Sequence, residues 1–181
     1  STVGYFAIGF KDDGTLIDPL PTGDTDRAFI REARRHGTRV DWVVRQVDWE
    51  SWSGFGAEDL KKRFSALTRS LATMLNEPEP GWFTRLVDRL TFGAIPHIRR
   101  GDGVTLYFDH YPEDEMFVQA FGDFYRQLET EIAKTHGSRG AVNLLIPRGA
   151  LGKGIFQCDR LASLLYRGET RRPEANGKFL V

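Results

Sequence analysis

Short apolar runs rich in aromatic and β-branched residues alternate along the chain with segments whose apolar residues recur at helical spacing. Runs of the first kind, bounded by glycine, proline or acidic residues, are typical of buried β-strands. They predict strands over residues 3–10, 38–44, 104–109, 141–147 and 178–181. The nearly continuous apolar character of 141–147 further predicts a strand that is covered on both faces.

Helical periodicity fills the segments between these strands. A stripe of apolar residues at intervals of three and four predicts one amphipathic helix, and its members are Leu60, Phe64, Leu67, Leu71 and Leu75. The clearest helix is predicted from Phe117 to Ile132, where phenylalanine, leucine and isoleucine repeat at close to 3.6 residues. Further helices are predicted over 24–35, 82–92 and 159–166.

The alternation of strands and helices predicts an α/β fold with a parallel sheet and right-handed crossovers. A length of 181 residues fits a single domain over 1–181. Because the last predicted strand has only just begun where the sequence stops, we expect the remaining segments to belong to a longer chain.

Composition narrows the class of protein. Lys and Arg together number 25, as do Asp and Glu, and hydrophobic residues make up 40%. This balance argues against disorder and against a protein that binds phosphate backbones, so we expect no nucleic-acid partner. Since no run approaches the ~20 apolar residues of a membrane span, we expect no transmembrane segment and a soluble protein, either cytoplasmic or exported.

The sequence gives little support for a metal or a cofactor. Cys158 is the single cysteine and the four histidines are dispersed, so we expect neither a disulfide framework nor a metal site. The glycine-rich segment 149–154 lacks the spacing of a phosphate-binding loop, so we expect no nucleotide cofactor.

The segment 102–109, which reads Asp-Gly-Val-Thr-Leu-Tyr-Phe-Asp, resembles the strand-four signature of family 18 glycoside hydrolases. These are chitinase-like (β/α)8 barrels with the pattern D-G-x-D-x-D-x-E. Residues 5–16, 30–40 and 141–147 also resemble the family's second strand, the helix entering its third strand, and its fifth strand. The resemblance implies a partial (β/α)8 TIM-barrel-like sheet that covers about strands two to five.

In that family the terminal Glu protonates the glycosidic oxygen while the substrate's own acetamido oxygen attacks the anomeric carbon, assisted by the preceding Asp. By this resemblance Asp102 matches the first acid, Thr105 and Tyr107 replace the middle acids, and Asp109 replaces the Glu. The shorter Asp side chain sets its carboxyl back by about 1.5 Å, and displacements near 1 Å can cost about 100-fold in rate. The resemblance therefore implies a degenerate site built on Asp102, Tyr107 and Asp109.

Aromatic and imidazole side chains near this segment are candidate ligand contacts. His110 and Tyr111 follow Asp109 directly and are expected to line the same cleft. Trp49 and Trp52 lie in an aromatic loop after the second predicted strand, where exposed rings would let sugar rings stack.

Three functions remain open at this point. The first is a chitinase-like domain that binds or positions a glycan or polysaccharide without turnover. The second is an active glycoside hydrolase with Asp109 as general acid, and the third is a structural or assembly module with no sugar function.

The acidic segment 113–115 is interpreted as the first turn of a helix, where negative charge complements the helix dipole.

Overall fold

The computed structural model describes residues 2–17, 24–76, 101–136, 140–165 and 179–180. Its strands are β1 (Thr2–Phe10), β2 (Leu16–Ile17), β3 (Arg39–Gln46), β4 (Gly103–Phe108), β5 (Ala141–Leu145) and β6 (Phe179–Leu180). Its α-helices are α1 (Asp24–Arg35), α2 (Ala57–Asn76), α3 (Glu115–His136) and α4 (Cys158–Leu165). These elements confirm the predicted strands and helices except the helix over 82–92, which lies outside the described residues.

The strands form one sheet in the order β2-β1-β3-β4-β5-β6. All neighbours pair in parallel except β1 and β2, which form a short antiparallel hairpin. Because parallel crossovers are right-handed, a strand order that advances in one direction places the connecting helices on a single face. This winding is that of a (β/α)8 barrel and not of a doubly wound sheet, so the predicted fold class is confirmed.

The two faces of the central strands differ in chemistry. One face is apolar and joins the main hydrophobic cluster; its residues are Val40, Trp42, Val44, Val104, Leu106, Phe108, Val142 and Leu144. The opposite face carries the buried polar side chains of Asp41, Thr105 and Asn143, the half-buried Tyr107 and the exposed Arg45. In a barrel this second face would be the interior.

The apolar stripes of α2 and α3 cover the first face. Their buried residues include Leu60, Phe64, Leu67, Leu71 and Leu75 on α2 and Phe117, Phe121, Phe124, Leu128 and Ile132 on α3. The rings of Phe64 and Phe124 stack at 4.9 Å and join the two helices. Burial of each of these large apolar side chains stabilises the fold by roughly 1.5–3 kcal/mol. Within the described residues no helix has the length and apolar character needed to cross a membrane.

The hairpin of β1 and β2 was not predicted as such, although the sequence indicates a turn at 11–14. Lys11 donates its backbone N–H to the carbonyl of Thr15 at 2.8 Å, and Gly14 adopts a φ of +82°. A two-residue strand carries too little periodicity to be recognised from sequence, and its pairing with β1 depends on the turn.

A buried polar cluster lies across β3, β4 and β5 on the interior face. Asp41 is fully buried, accepts hydrogen bonds from Asn143 and Thr105, and lies 3.6 Å from the guanidinium of Arg39. Desolvation by burial raises the pKa of the Asp41 carboxyl above its ordinary value, and this effect outweighs the lowering by Arg39 and Asn143.

This raised pKa predicts a specific dependence of stability on pH. The unfolded chain loses the Asp41 proton near the ordinary pKa of 3.8, whereas the folded chain keeps it to higher pH. The free energy of unfolding contributed by Asp41 therefore falls as pH rises from about 4 to the folded-state pKa, by at most about 1.4 kcal/mol per pH unit. Asp41→Asn removes this titration.

Urea unfolding of wild type and Asp41→Asn between about pH 4 and 7 measures the effect. We expect the stability of wild type relative to the variant to decrease with pH across the lower part of that range. Asp59→Asn, a change at an exposed carboxyl in the first turn of α2, is the matched control. A relative stability that stays constant or increases with pH would contradict the prediction.

Candidate functional site

Asp109 follows the last residue of β4 and lies at the carboxyl edge of the sheet. Its backbone N–H donates to the carbonyl of Gln46 at 2.9 Å, which extends the pairing of β4 with β3. Side chains alternate along a strand, so Thr105, Tyr107 and Asp109 share the face opposite the helices. The active sites of (β/α)8 barrels lie at this edge, and the Asp109 side chain there is 29% exposed.

Local hydrogen bonds orient the Asp109 carboxylate. Oδ1 accepts the backbone N–H of His110 at 3.0 Å, and Oδ2 accepts the Tyr107 hydroxyl at 3.4 Å. His110 adopts a φ of +50°, a left-handed conformation that is uncommon for a residue with a side chain. Its imidazole is largely exposed, with Nε2 3.9 Å from Asp109 Oδ2. The chain thus turns sharply at the site and keeps the carboxylate beside Tyr107 and His110.

Trp49 and Trp52 do not face a ligand, so this expectation from the sequence is wrong. Trp49 is 5% exposed and Trp52 is fully buried. The 3-10 turn Glu50–Trp52 folds the aromatic loop against the apolar face of the sheet. Neither indole presents a free face on which a sugar ring can stack.

Both indoles belong to an aromatic cluster in the core. Trp49 packs edge to face with Phe108 at 5.1 Å, and Trp52 packs against Phe10 at 5.8 Å and Phe64 at 5.2 Å. Such pairs stabilise by about 0.5–1.5 kcal/mol beyond the area they bury. Trp49 also donates its Nε1–H to the carbonyl oxygen of Asp109 at 2.9 Å, which makes it a positioning residue for Asp109.

Tyr111 lies beside Asp109, and its side chain is buried in the core. It is 7% exposed, and its hydroxyl donates to the carbonyl oxygen of Phe117 at 2.8 Å. Burial raises the pKa of the Tyr111 hydroxyl well above its ordinary value. Tyr111 lines the cleft beside Asp109, as expected from the sequence. Because Phe108 and Trp49 pack against its ring, it offers no open face on which a sugar could stack.

Asp102 lies at the other end of β4 and cannot act together with Asp109. The six residues of β4 lie between them, so the two positions are seven residue steps apart, about 23 Å at 3.3 Å per residue. Asp102 Oδ2 accepts the backbone N–H of Val40 at 2.9 Å and lies 3.8 Å from the Arg34 guanidinium. These contacts tie β4 to β3 and α1, so the assignment of Asp102 to the catalytic group is corrected to a structural role.

A cleft of about 280 Å³ opens beside Asp109 between the loops that follow β4 and β5. The β4 side contributes Asp109, His110 and Glu113, and the β5 side contributes Arg148 and Lys153. Sequence reasoning placed Glu113 in a helical first turn, but α3 begins at Glu115 and Glu113 lines the cleft.

Arg148 and Lys153 were not identified as site residues from the sequence. Their position directly after a parallel strand was the available signal, because the loops after such strands build the site of a barrel. Positive φ angles at Gly149, Gly152 and Gly154 shape this loop. A Cβ on Gly154 would lie 3.3 Å from the side chain of Glu113, so the two loops pack closely at the cleft.

The arrangement offers a carboxylate, an imidazole and cationic groups around one opening, which suits polar recognition and proton transfer. Among the described residues, no three His, Cys, Asp or Glu side chains converge as they would to hold a metal ion.

Comparison with known proteins gives a fold but no family. No family model matches the chain, and no curated protein matches it. A crystal structure described as the "putative sporulation-specific glycosylase ydhD from Bacillus subtilis" matches with a TM-score of 0.51 at 13% identity. The match covers 83% of this chain and 41% of that one, so this chain spans less than half of the Bacillus protein. The chain therefore shares a fold with part of that protein, in agreement with a partial barrel.

Proposed function

We propose that this chain is a carbohydrate-active domain that binds a glycan in the cleft beside Asp109 and lacks chitinase-type turnover. The observation that carries the proposal is the position of Asp109: partly exposed, at the carboxyl edge of a singly wound parallel sheet, on the face away from the helices. The fold shared with a protein described as a glycosylase supports the same reading.

The side chains around Asp109 suit recognition of sugars better than the family's hydrolysis. Carboxylate and imidazole groups hydrogen-bond to sugar hydroxyls and amides. Tyr107 stands where the resemblance expects the acid that stabilises a cationic intermediate, and a hydroxyl group does not supply the negative charge of a carboxylate. Asp109 is also shorter than the Glu that it replaces. Both departures lower the rate of substrate-assisted cleavage more than they lower binding.

Titration of the protein with an N-acetylglucosamine hexamer, followed by calorimetry and by mass spectrometry of the sugar, tests the proposal. We expect binding without shortened products, and about a tenfold loss of affinity in Asp109→Ala, as for removal of one charge-assisted hydrogen bond. Asp59→Ala, which removes an exposed carboxyl on α2, should leave the affinity unchanged. Binding at background level across a glycan array would overturn the proposal in favour of a structural module.

A second candidate function is a hydrolase that uses two carboxylates. The observation that favours it is Glu113, which lines the same cleft as Asp109. Glycosidases with paired carboxyl groups use one as the acid and the other as base or nucleophile. In that case the rate of product formation would show a bell-shaped dependence on pH. Asp109→Asn and Glu113→Gln would each abolish product formation.

A further inference from the structure

Charge is separated across the cleft beside Asp109. The acidic side chains, Asp109 and Glu113, come from the segment after β4, whereas Arg148 and Lys153 come from the loop after β5. Negative groups from one loop and positive groups from the next therefore line one opening of about 280 Å³. A ligand that carries hydroxyl or amide groups at one end and an anion at the other would be complementary to both sides.

We propose that the glycan bound in this cleft carries an anionic substituent, a carboxylate or a phosphate, which Arg148 and Lys153 hold. This inference rests on the proposed carbohydrate-binding function. It goes further by naming the chemical class of the sugar, an acidic glycan. The N-acetylglucosamine polymer that the family resemblance implies is uncharged and does not belong to this class.

The cations on the β5 side are available for a ligand. Arg34, Arg63, Arg126 and Arg160 each lie within 4.0 Å of a carboxylate of this chain. Arg148, by contrast, forms no ion pair or hydrogen bond through its side chain within the described residues. The Lys153 side chain likewise forms no ion pair or hydrogen bond within the described residues, and both side chains are exposed. An anionic ligand would gain their charge without first breaking an internal pair.

A third cation stands on the interior face near the same edge. Arg45 of β3 is the register partner of Tyr107 on β4, so the two occupy neighbouring positions on the face that Asp109 continues. Arg45 is exposed, and no described carboxylate pairs with it. Guanidinium groups bind carboxylates and phosphates through two parallel hydrogen bonds, which favours an acidic sugar over a neutral one.

The anionic group would lie on the β5 side for a physical reason. Near Asp109 and Glu113 it would meet like charge, which opposes binding, whereas Arg148 and Lys153 attract it. These cations are exposed, so the attraction is screened by salt and the affinity should fall as ionic strength rises.

The test compares matched neutral and acidic sugars on the intact chain by calorimetry. An N-acetylglucosamine tetramer is the neutral oligomer, and a hyaluronan tetrasaccharide of similar length supplies carboxylates. A comparison of the affinities for N-acetylglucosamine 6-phosphate and N-acetylglucosamine tests a phosphate group in the same way. We expect one acidic sugar to bind about tenfold more tightly than its neutral counterpart. Whether that sugar carries the carboxylate or the phosphate identifies the anion.

Variants separate this inference from the proposed function. Arg148→Gln and Lys153→Gln should each lower the affinity for the acidic sugar more than the affinity for the neutral oligomer, and so remove most of the preference. Lys62→Gln makes the same change of charge on the exposed side of α2 and should have no effect.

Three results would overturn the inference. Equal affinities for neutral and acidic sugars, or a preference unaffected by both cleft variants, would overturn the anionic substituent and leave the glycan proposal standing. Binding to none of the sugars would instead overturn the proposed function, and this inference with it.

Discussion

Replacing Trp52 by alanine is expected to lower the free energy of unfolding by about 4 kcal/mol, as for other large-to-small changes in a core. Trp52 is fully buried and packs against Phe10, Phe55 and Phe64, so truncation leaves a large cavity between β1 and α2. The loss is tempered because the Trp52 Nε1 donor has no hydrogen-bond partner among the described residues. Urea unfolding followed by far-UV circular dichroism measures the change.

This substitution also distinguishes a core residue from a ligand contact. Val47→Ala is the control, since Val47 lies in the same loop and is 39% exposed, and it should change stability by less than about 0.5 kcal/mol. If Trp52→Ala were as stable as this control and instead lost affinity for sugars, Trp52 would be a stacking platform and its placement in the core would be refuted.

Gly103→Ala is expected to destabilise the chain by about 3 kcal/mol, at the upper end of typical overpacking in a core. An added Cβ would lie 2.5 Å from the carbonyl oxygen of Ala141 and 2.7 Å from Asp41 Oδ1. The first neighbour is backbone of β5, which pairs with β4 and cannot retreat without breaking the ladder. The second is the fully buried carboxylate of the polar cluster.

Gly56→Ala provides the comparison for this effect. A Cβ on Gly56 would meet no atom within 4 Å, and the residue does not have a positive φ. We expect a change of at most about 1 kcal/mol there, of either sign, because alanine restricts the unfolded chain. Equal stabilities of the two variants would show that β4 and β5 approach less closely at Gly103 than the structure has them.

The elements were predictable because their signals are local. The stripe from Leu60 to Leu75 and the repeat from Phe117 to Ile132 fix which side of each helix is buried, and both sets are buried in the structure. The apolar run at 141–147 similarly marked β5 as a strand covered on both faces. The two-residue β2 escaped prediction because its pairing arises from the turn before it.

The site was predictable only in part. Alternation along β4 correctly separates Tyr107 and Asp109 from the helix-facing Leu106 and Phe108, because the period of a strand is two. Asp102 entered the predicted site through the family resemblance alone, and the length of β4 places it about 23 Å from Asp109, at the other end of the strand.

Aromatic residues in loops were the main source of error. Trp49 and Trp52 are of a residue type that is common both in sugar-binding surfaces and in protein cores. Composition cannot separate these alternatives, because burial depends on which distant residues fold over the ring. Here Phe10, from β1, and Phe108, from β4, supply that cover.

The sequence by itself determined the order of the strands and helices apart from β2, the buried sides of α2 and α3, and the face on which Asp109 lies, since each follows from periodicity that is local in the chain. Only the tertiary structure decided that the tryptophans belong to the core and that Arg148 and Lys153 line the same cleft as Asp109 and Glu113. Those facts depend on contacts between segments far apart in the chain, and neither spacing nor composition encodes such contacts locally.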